Sequence, residues 1–310
     1  MTSEDPFTDC FEVPVAGGRL HVAHAGPAPD TARCVVLAAH GVTASLMTWR
    51  TVARELDERI CLLAPDCRGR GRSAGLPGPY GMAAHVADLI AVLDYAATRS
   101  AVLVGHSMGA YVVARLAAEH RERAVALVLL DAGLPFPRPD DPRELADSAV
   151  GSAITRLAIT FPSADQYVRG WRAHPAFAHA WDDDVEQYAR YDLVEDGHVA
   201  RYGASATAVQ TDSTEMVLDD VNRTALERVR VPVWLLRAER GLFDDDPLIT
   251  EDALAAFASE HPSVRVEEVP GVNHYTLVMG HSPGPRRVAA AIEGCCAACQ
   301  GPLGPGAPVA

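Results

Sequence analysis

The sequence of 310 residues contains no lysine, so all 27 of its basic residues are arginines. This absence excludes Schiff-base chemistry and a lysine general base. No run of 18 apolar residues occurs, so a transmembrane helix is not expected. Residues 1–10 lack the basic start and apolar stretch of a signal peptide. Together these absences predict a cytoplasmic protein that does not bind a membrane.

Positive charge is also scarce. The chain has 41 acidic and 27 basic residues, and its formal net charge is −14. A nucleic-acid partner requires a concentrated basic face, so we expect none. An excess of acid is typical of a solvated surface. A homodimer is compatible with this composition, which does not define the oligomeric state.

The seven cysteines form no obvious framework. Three of them, Cys295, Cys296 and Cys299, cluster near the carboxyl terminus, and the other four are scattered at Cys10, Cys34, Cys61 and Cys67. We expect reduced thiols rather than disulfides. The cluster contains a Cys-x-x-Cys pair, but no second ligand pair follows at zinc spacing, so no metal site is predicted. The last helix is expected to end near the cluster, and residues 301–310 to form a disordered tail.

Short apolar runs alternate with helical periodicities along most of the chain. Residues 11–15 and 19–25 flank Gly17-Gly18 and predict a hairpin. The predicted buried strands are residues 34–39, 60–64, 101–104, 125–130 and 233–236, and residues 264–269 predict a further strand. The predicted helices are residues 82–97, 107–119, 250–258 and 285–298. This alternation predicts an α/β fold with a mostly parallel central sheet and helices on both faces.

Residues 135–225 interrupt the alternation. They contain no convincing strand, several helix-like segments and many aromatic and acidic residues. We interpret them as a helical lid inserted into a core formed by residues 1–134 and 226–300. Four aromatic residues of the lid are candidates for the walls of a substrate pocket, the alternative for each being the packed core of the lid: Trp171, Phe177, Trp181 and Tyr188.

The strongest local motif is Gly105-His106-Ser107-Met108-Gly109. A buried strand precedes it and a helical pattern follows at once, which is the context that Gly-x-Ser-x-Gly requires. The glycines allow a sharp, strained turn that raises the serine hydroxyl above the sheet. Ser107 is therefore the candidate nucleophile.

A serine hydroxyl needs a base to become an effective nucleophile. His274 follows the last predicted strand, in Gly271-Val272-Asn273-His274-Tyr275. Parallel strands deliver their carboxyl-terminal loops to one end of a sheet, and Ser107 lies at that end too. His274 is the candidate base.

These segments resemble the α/β-hydrolase superfamily over about residues 20–298. His40-Gly41-Val42 resembles the oxyanion loop of the family, and Asp66-x-Arg68-Gly69-x-Gly71-x-Ser73 resembles the turn after the next strand. The resemblance implies a lid inserted after Asp131 and an oxyanion hole formed by the backbone N–H groups of Val42 and Met108. We expect Asp66 and Arg68 to fix their turn through a charge-assisted hydrogen bond.

The resemblance does not identify the acid of the triad by simple spacing. The position that the family uses, after the strand at residues 233–238, falls on Gly241. Anchoring on Pro247 instead favours Asp244. Asp131, at the end of the strand after the nucleophile helix, is the main alternative. Glu239, Asp245 and Asp246, which lie near Asp244 in the sequence, are the remaining options.

The resulting prediction is a cofactor-free serine hydrolase that cleaves a carboxylic ester or lactone of a fairly apolar small molecule. Dehalogenases and epoxide hydrolases of this superfamily use aspartate at the position of Ser107, so they are excluded. A thioesterase or carbon–carbon bond hydrolase stays open. So do a cofactor-free oxygenase or perhydrolase, and a ligand receptor with a hydrolase-like fold.

Overall fold

The structure is a computed structural model, and it describes residues 5–135, 155, 157–196 and 199–298. The chain begins with strand β1 (Asp9–Val15) and strand β2 (Gly18–Ala25), which form the predicted antiparallel hairpin. Gly17 in the turn has φ +86°, a conformation that glycine adopts without strain. The double glycine therefore marks the turn correctly.

Eight strands form the central sheet, in the order β1-β2-β4-β3-β5-β6-β10-β11. The other six are β3 (Cys34–Ala39), β4 (Ile60–Pro65), β5 (Ala101–His106), β6 (Ala124–Leu130), β10 (Val233–Arg240) and β11 (Val264–Asn273). All neighbours are parallel except β1 with β2 and β2 with β4. The predicted apolar runs all became strands of this sheet, because continuous apolar sequence suits a strand that is covered on both faces.

Helices cover the two faces of the sheet. They are α1 (Arg50–Glu55), α2 (Met82–Tyr95), α3 (Met108–Glu119), α9 (Glu251–Glu260) and α10 (Gly284–Ala298). Alternate strand residues separate into two apolar clusters: Val36 belongs to the cluster that contains Val288 of α10, whereas Leu37 belongs to the cluster that contains Val112 of α3. This period of two follows from the pleat of a strand.

The segment between β6 and β10 contains both helices and strands. Its helices are α4 (Ala164–Arg172), α5 (Asp183–Tyr191), α6 (Ala206–Leu218), α7 (Asp220–Arg223) and α8 (Ala225–Arg228). Its strands are β7 (Thr160–Phe161), β8 (Leu193–Asp196) and β9 (Val199–Tyr202), which form a small antiparallel sheet. The expectation of no strand here is therefore wrong. Strands of two to four residues are too short to show a period-two pattern.

Side-chain caps explain where three helices of this segment begin. The side chains of Ser163, Asp182 and Ser205 each accept a hydrogen bond from the backbone N–H three residues later. Such a cap satisfies one of the free N–H groups at a helix start and contributes about 1 kcal/mol. The polar sequence of the segment is thus compatible with helices of defined length.

Two cysteines overturn the expectation of unpaired thiols. Cys34 at the start of β3 and Cys296 in α10 form a disulfide, with their Cα atoms 5.8 Å apart. Their separation of 262 residues hides the pairing from the sequence. Cys295, the preceding residue of α10, is buried and is not part of this disulfide. The predictions for Cys299 and for residues 301–310 lie outside the described residues.

The described part of the chain contains neither a candidate membrane span nor a candidate metal site. No helix there has the length and apolar character that a membrane span requires. No group of three or more histidine, cysteine, aspartate or glutamate side chains there could hold a metal ion.

Candidate active site

Ser107 lies between β5 and α3 in a strained backbone conformation, with φ +55° and ψ −122°. A side chain on Gly105 would overlap the carbonyl of Gly109, and one on Gly109 would overlap the carbonyl of Ala39. The two glycines therefore make this tight turn possible. A non-glycine residue at positive φ costs on the order of 1–3 kcal/mol and persists where the surrounding structure enforces it.

The loop after β3 passes directly beside the serine. A Cβ atom on Gly41 would lie 3.3 Å from Ser107 Cβ and 3.6 Å from Ser107 Oγ. Glycine at this position therefore leaves the room above the hydroxyl open. Sequence reasoning placed Gly41 in the oxyanion loop but did not identify this contact.

His274 directly follows β11 and is buried. Its Nδ1 atom lies 2.7 Å from Asp131 Oδ2. Its ring packs on the ring of His106 with a centroid distance of 4.4 Å, and His106 Nε2 donates to the carbonyl of His274 at 2.9 Å. Burial, and then the neighbouring His274, hold the pKa of His106 well below its ordinary value, so the His106 ring is neutral.

Asp131 directly follows β6, and its backbone is also left-handed, with φ +51°. Its N–H donates to the carbonyl of Leu236 at 2.7 Å, and its Oδ1 accepts from the N–H of Ala238 at 3.0 Å. Both partners belong to β10. The neighbouring strand therefore fixes the carboxylate, whose other oxygen faces the imidazole of His274.

Asp244, the preferred acid from the sequence, is not in contact with His274. Its Oδ2 accepts from Arg240 at 2.7 Å, and its Oδ1 accepts from Asn273 Nδ2 at 2.8 Å. The preference for Asp244 as the partner of His274 is wrong, and the alternative, Asp131, makes that contact. Counting loop residues cannot show which carboxylate faces the ring.

Each expected oxyanion donor is adjacent in sequence to the candidate nucleophile or to a residue beside it: Met108 follows Ser107, and Val42 follows Gly41. Met108 is the first residue of α3, and Val42 lies in the loop after β3. Among the described residues, neither N–H donates to another protein group. Free N–H groups at a helix start, pointing beside a nucleophile, can stabilise a developing negative charge.

A cavity of about 320 Å³ opens at Ser107 and His274. Its wall is mostly apolar, and no arginine belongs to its described part. Apolar members are Val42, Ala44, Ala132, Leu134, Pro135, Met216, Leu242, Phe243, Leu248, Ile249, Ala253 and Met279. This volume suits a small molecule.

Of the four predicted wall residues, the structure places Tyr188 alone in this wall. Trp171 and Phe177 are buried and pack edge to face with each other, and Trp171 also packs on Tyr188. Trp181 packs edge to face with Phe177. The prediction is therefore wrong for Trp171, Phe177 and Trp181, which form packed core behind the wall.

Sequence reasoning missed most of the true wall. Leu242, Phe243, Leu248 and Ile249 come from the loop between β10 and α9, and Met216 comes from α6. Loops have no hydrophobic period, so no local sequence signal identifies them as one surface. Their apolar side chains near the aspartates at residues 244–246 were the available hint.

The turn after β4 also differs from expectation. The guanidinium of Arg68 binds both carboxylate oxygens of Asp88, at 2.6 and 2.7 Å. Asp66 instead accepts from the N–H groups of Leu46 and Arg72 and from the hydroxyl of Tyr191. The expected contact between Asp66 and Arg68 is therefore replaced by separate buried networks that fix the same turn.

A parallel sheet with a strained serine elbow, a histidine after the last strand and free N–H groups beside them defines the class. The chain belongs to the alpha/beta hydrolase family, whose sequence profile matches residues 35–291. The family match supports hydrolytic activity in the broad sense.

Two curated proteins are similar to the chain in sequence, and one solved structure is similar to it in fold. Lipase LipV of Mycobacterium tuberculosis is 43% identical over 112 residues, which are 36% of this chain and 41% of the lipase. A Caulobacter sp. (strain K31) protein named carbamate hydrolase RutD is 28% identical over 259 residues, covering 83% of this chain and 89% of that protein. The crystal structure of E-2-(acetamidomethylene)succinate hydrolase superposes with a TM-score of 0.74 at 22% identity. The superposition covers 92% of this chain and 98% of that chain.

Proposed function

We propose that this protein is a serine hydrolase that cleaves a carboxylic ester or lactone of an uncharged, fairly apolar small molecule through an acyl-enzyme. The observation that carries the proposal is the contact of His274 Nδ1 with Asp131 at 2.7 Å, in a cavity wall that also contains Ser107 on its strained turn. Acyl transfer requires this spatial arrangement, in which an acid orients the base that activates the nucleophile.

Each residue has one role in the proposed cycle. His274 Nε2 takes the proton of Ser107 as Oγ attacks the carbonyl carbon of the substrate. Asp131 holds the tautomer of His274 and stabilises its imidazolium form. His274 then gives the proton to the leaving alkoxide oxygen. Water attacks the acyl-enzyme with His274 again as base, and Ser107 regains its proton.

The negative charge on the substrate oxygen would rest on the N–H groups of Val42 and Met108. One such donor contributes roughly 3 kcal/mol to the stabilisation of a transition state. No metal or organic cofactor takes part in any step.

The cavity wall supports an uncharged substrate. Apolar side chains dominate it, and its described part contains no arginine to bind a carboxylate. Binding a carboxylate away from water without a cation is costly. We therefore expect neutral acyl groups of short to medium length to be preferred over acyl groups that carry a free carboxylate.

The first experiment tests the nucleophile. A fluorophosphonate probe should label the wild-type protein and should not label Ser107→Ala. Wild-type protein that stays unlabelled while it remains folded would refute the proposal. Ser107→Ala should lower kcat for p-nitrophenyl butyrate by roughly 10⁴- to 10⁶-fold.

Carbamate hydrolysis is the second candidate, because the match to the Caulobacter protein spans 83% of this chain. A panel of esters, lactones, thioesters and carbamates with matched acyl groups separates the two. The ester or lactone assignment predicts the highest kcat/KM in the first two groups. Thioester, carbon–carbon and peracid chemistry can be included in the same panel, and a burst without turnover would favour a ligand receptor.

A further inference from the structure

Arg70 lies buried beneath the candidate oxyanion hole. It belongs to the turn after β4, and its side chain has no exposure to solvent. Its Nε donates to the carbonyl of Val42 at 2.9 Å, its Nη1 donates to the carbonyl of Arg68 at 3.0 Å, and its Nη2 lies 3.9 Å from Met108 Sδ. One guanidinium thus contacts the two residues whose N–H groups are the candidate donors.

The backbone around Val42 is held on both sides. Arg70 binds the carbonyl that follows the Val42 N–H, and His40 Nδ1 donates at 2.8 Å to the carbonyl of Gly41, in the same peptide unit as that N–H. His40 Nε2 accepts from the N–H of Cys67 at 2.9 Å. Burial lowers the pKa of His40 to about 3, so this tautomer persists at neutral pH.

Arg70 is in turn held by the inserted segment. Asp212 of α6 forms a fully buried ion pair with it. The same carboxylate accepts from the N–H of Gly81 at 2.7 Å and from His85 Nε2 at 2.9 Å. Burial alone would raise the pKa of Asp212, but the contacts with His85 and Arg70 outweigh it and hold that pKa below its ordinary value.

A buried ion pair is a weak source of stability, because removing two charges from water costs several kcal/mol. The five N–H groups of a guanidinium form a rigid fork, which suits them to orient several acceptors at once. The geometry therefore fits a role in fixing backbone atoms better than a role in holding the fold together.

We propose that Arg70, oriented by Asp212 from the inserted segment, is a positioning residue that aligns the N–H groups of Val42 and Met108 with the transition state. The inference rests on the proposed function. It makes the oxyanion hole depend on a side chain of the insertion that does not itself touch the substrate.

The test compares Arg70→Lys with wild type. Lysine keeps the charge near Asp212 but lacks the fork that reaches Val42 and Arg68 together. We expect kcat for p-nitrophenyl butyrate to fall by about 10- to 100-fold with KM changed less than about threefold. Affinity for a butyl boronic acid, which forms a tetrahedral adduct on Ser107, should fall in parallel with kcat/KM. Affinity for the unreactive ketone analogue of the ester should stay the same.

Arg68→Lys is the matched control. Arg68 lies two residues away and forms an equally buried pair with Asp88, but its side chain does not contact Val42 or Met108. The Arg68→Lys variant should lower Tm without lowering kcat more than about threefold. Asp212→Asn keeps the acceptor for Gly81 and should reproduce part of the Arg70→Lys effect on the boronic acid.

The outcomes separate this inference from the proposed function. Absence of fluorophosphonate labelling and turnover in wild-type protein would overturn both. If wild-type turnover is normal, any of three results would overturn the inference alone. Arg70→Lys could retain wild-type kcat, or it could change only KM. Arg68→Lys, compared at equal folded fraction, could lose as much kcat as Arg70→Lys.

Discussion

Asp131 and Asp244 follow two strands that pair side by side, yet they have different partners. β6 and β10 are parallel neighbours, with Leu130 opposite Leu236. Both aspartates have left-handed backbone, with φ +51° and +64°. Both also contact the chain where β11 ends, Asp131 through His274 and Asp244 through Asn273.

Solvent exposure of the side chain distinguishes the two aspartates. The side chain of Asp131 has no exposure, whereas that of Asp244 is 29% exposed and is paired with Arg240, itself 37% exposed. A carboxylate without water interacts more strongly with an imidazolium than a solvated one does. The buried aspartate, Asp131, therefore contacts the candidate base, His274. The partly exposed aspartate, Asp244, contacts the preceding residue, Asn273.

The largest effect should come from Asp131→Asn. The amide keeps the shape of the side chain but cannot stabilise the required tautomer of His274, so kcat should fall by about 10⁴-fold. Steady-state kinetics on p-nitrophenyl butyrate, with Tm as a check on folding, measures this. If Asp131→Asn kept activity within about tenfold of wild type, Asp131 would not be the acid, and an aspartate of the loop after β10 would be favoured instead.

Asn273→Ala should have the next largest effect. Asn273 Oδ1 accepts from the N–H groups of Tyr275 and Thr276, and its Nδ2 donates to Ala176 as well as to Asp244. Loss of these bonds leaves buried groups unsatisfied, each costing about 1–3 kcal/mol, and frees the loop that holds His274. We expect kcat to fall by about 10- to 100-fold and Tm to fall.

A matched control for that variant is Asn222→Ala. Asn222 is similarly buried, but it bonds to Arg115 and Glu215, neither of which lines the cavity. It should lower Tm and leave kcat unchanged. Equal losses of kcat in the two variants would show that general destabilisation, rather than the position of His274, is responsible.

Asp244→Asn should lower kcat less than about tenfold, because it removes a partly exposed ion pair worth about 0–1 kcal/mol. The remaining amide oxygen can still accept from Asn273. The same kinetic assay measures this change, and a loss approaching that of Asp131→Asn would remove the distinction between the two strand ends.

Asp192→Asn should change stability and leave kcat as it is. Asp192 is buried, and its Oδ1 has no hydrogen-bond partner among the described residues. Burial, and then the negative charge of Asp66, raise the pKa of Asp192 well above its ordinary value, whereas Arg70 lowers it. This carboxyl therefore has neither the strand contacts of Asp131 nor the solvent of Asp244.

The sign of its pH dependence follows from linkage. Above the unfolded pKa of about 3.9, the folded state binds more protons at this site, so wild-type stability falls as pH rises toward the folded pKa. The asparagine variant lacks this loss. Its Tm advantage over wild type should therefore grow as the pH rises above about 4, and an advantage independent of pH would contradict the assignment.

The fold was largely predictable from the sequence because its strands are covered on both faces. Runs such as Cys34–Ala39 are apolar without interruption, and the glycines at residues 105 and 109 permit one sharp turn. These signals are local. Ser107 and His274 could be selected as candidates because each follows a strand that the sequence marks clearly.

The remaining features depend on contacts between distant residues. The choice between Asp131 and Asp244 depends on which carboxylate faces a ring at position 274. The Cys34–Cys296 bond and the Arg70–Asp212 pair join segments far apart in the chain. Trp171 and Phe177 are aromatic residues in an inserted segment, and nothing local distinguishes a wall from the core behind it.

The pairing of β6 with β10 has a consequence for synthesis on the ribosome. Residues 131–232 separate the two strands, and the contacts that fix Asp131 come from Leu236 and Ala238. His274 emerges later still. A nascent chain that has already formed its serine elbow therefore has neither the anchored candidate acid nor the candidate base, and the proposed activity can arise only when translation of the carboxyl-terminal strands is complete.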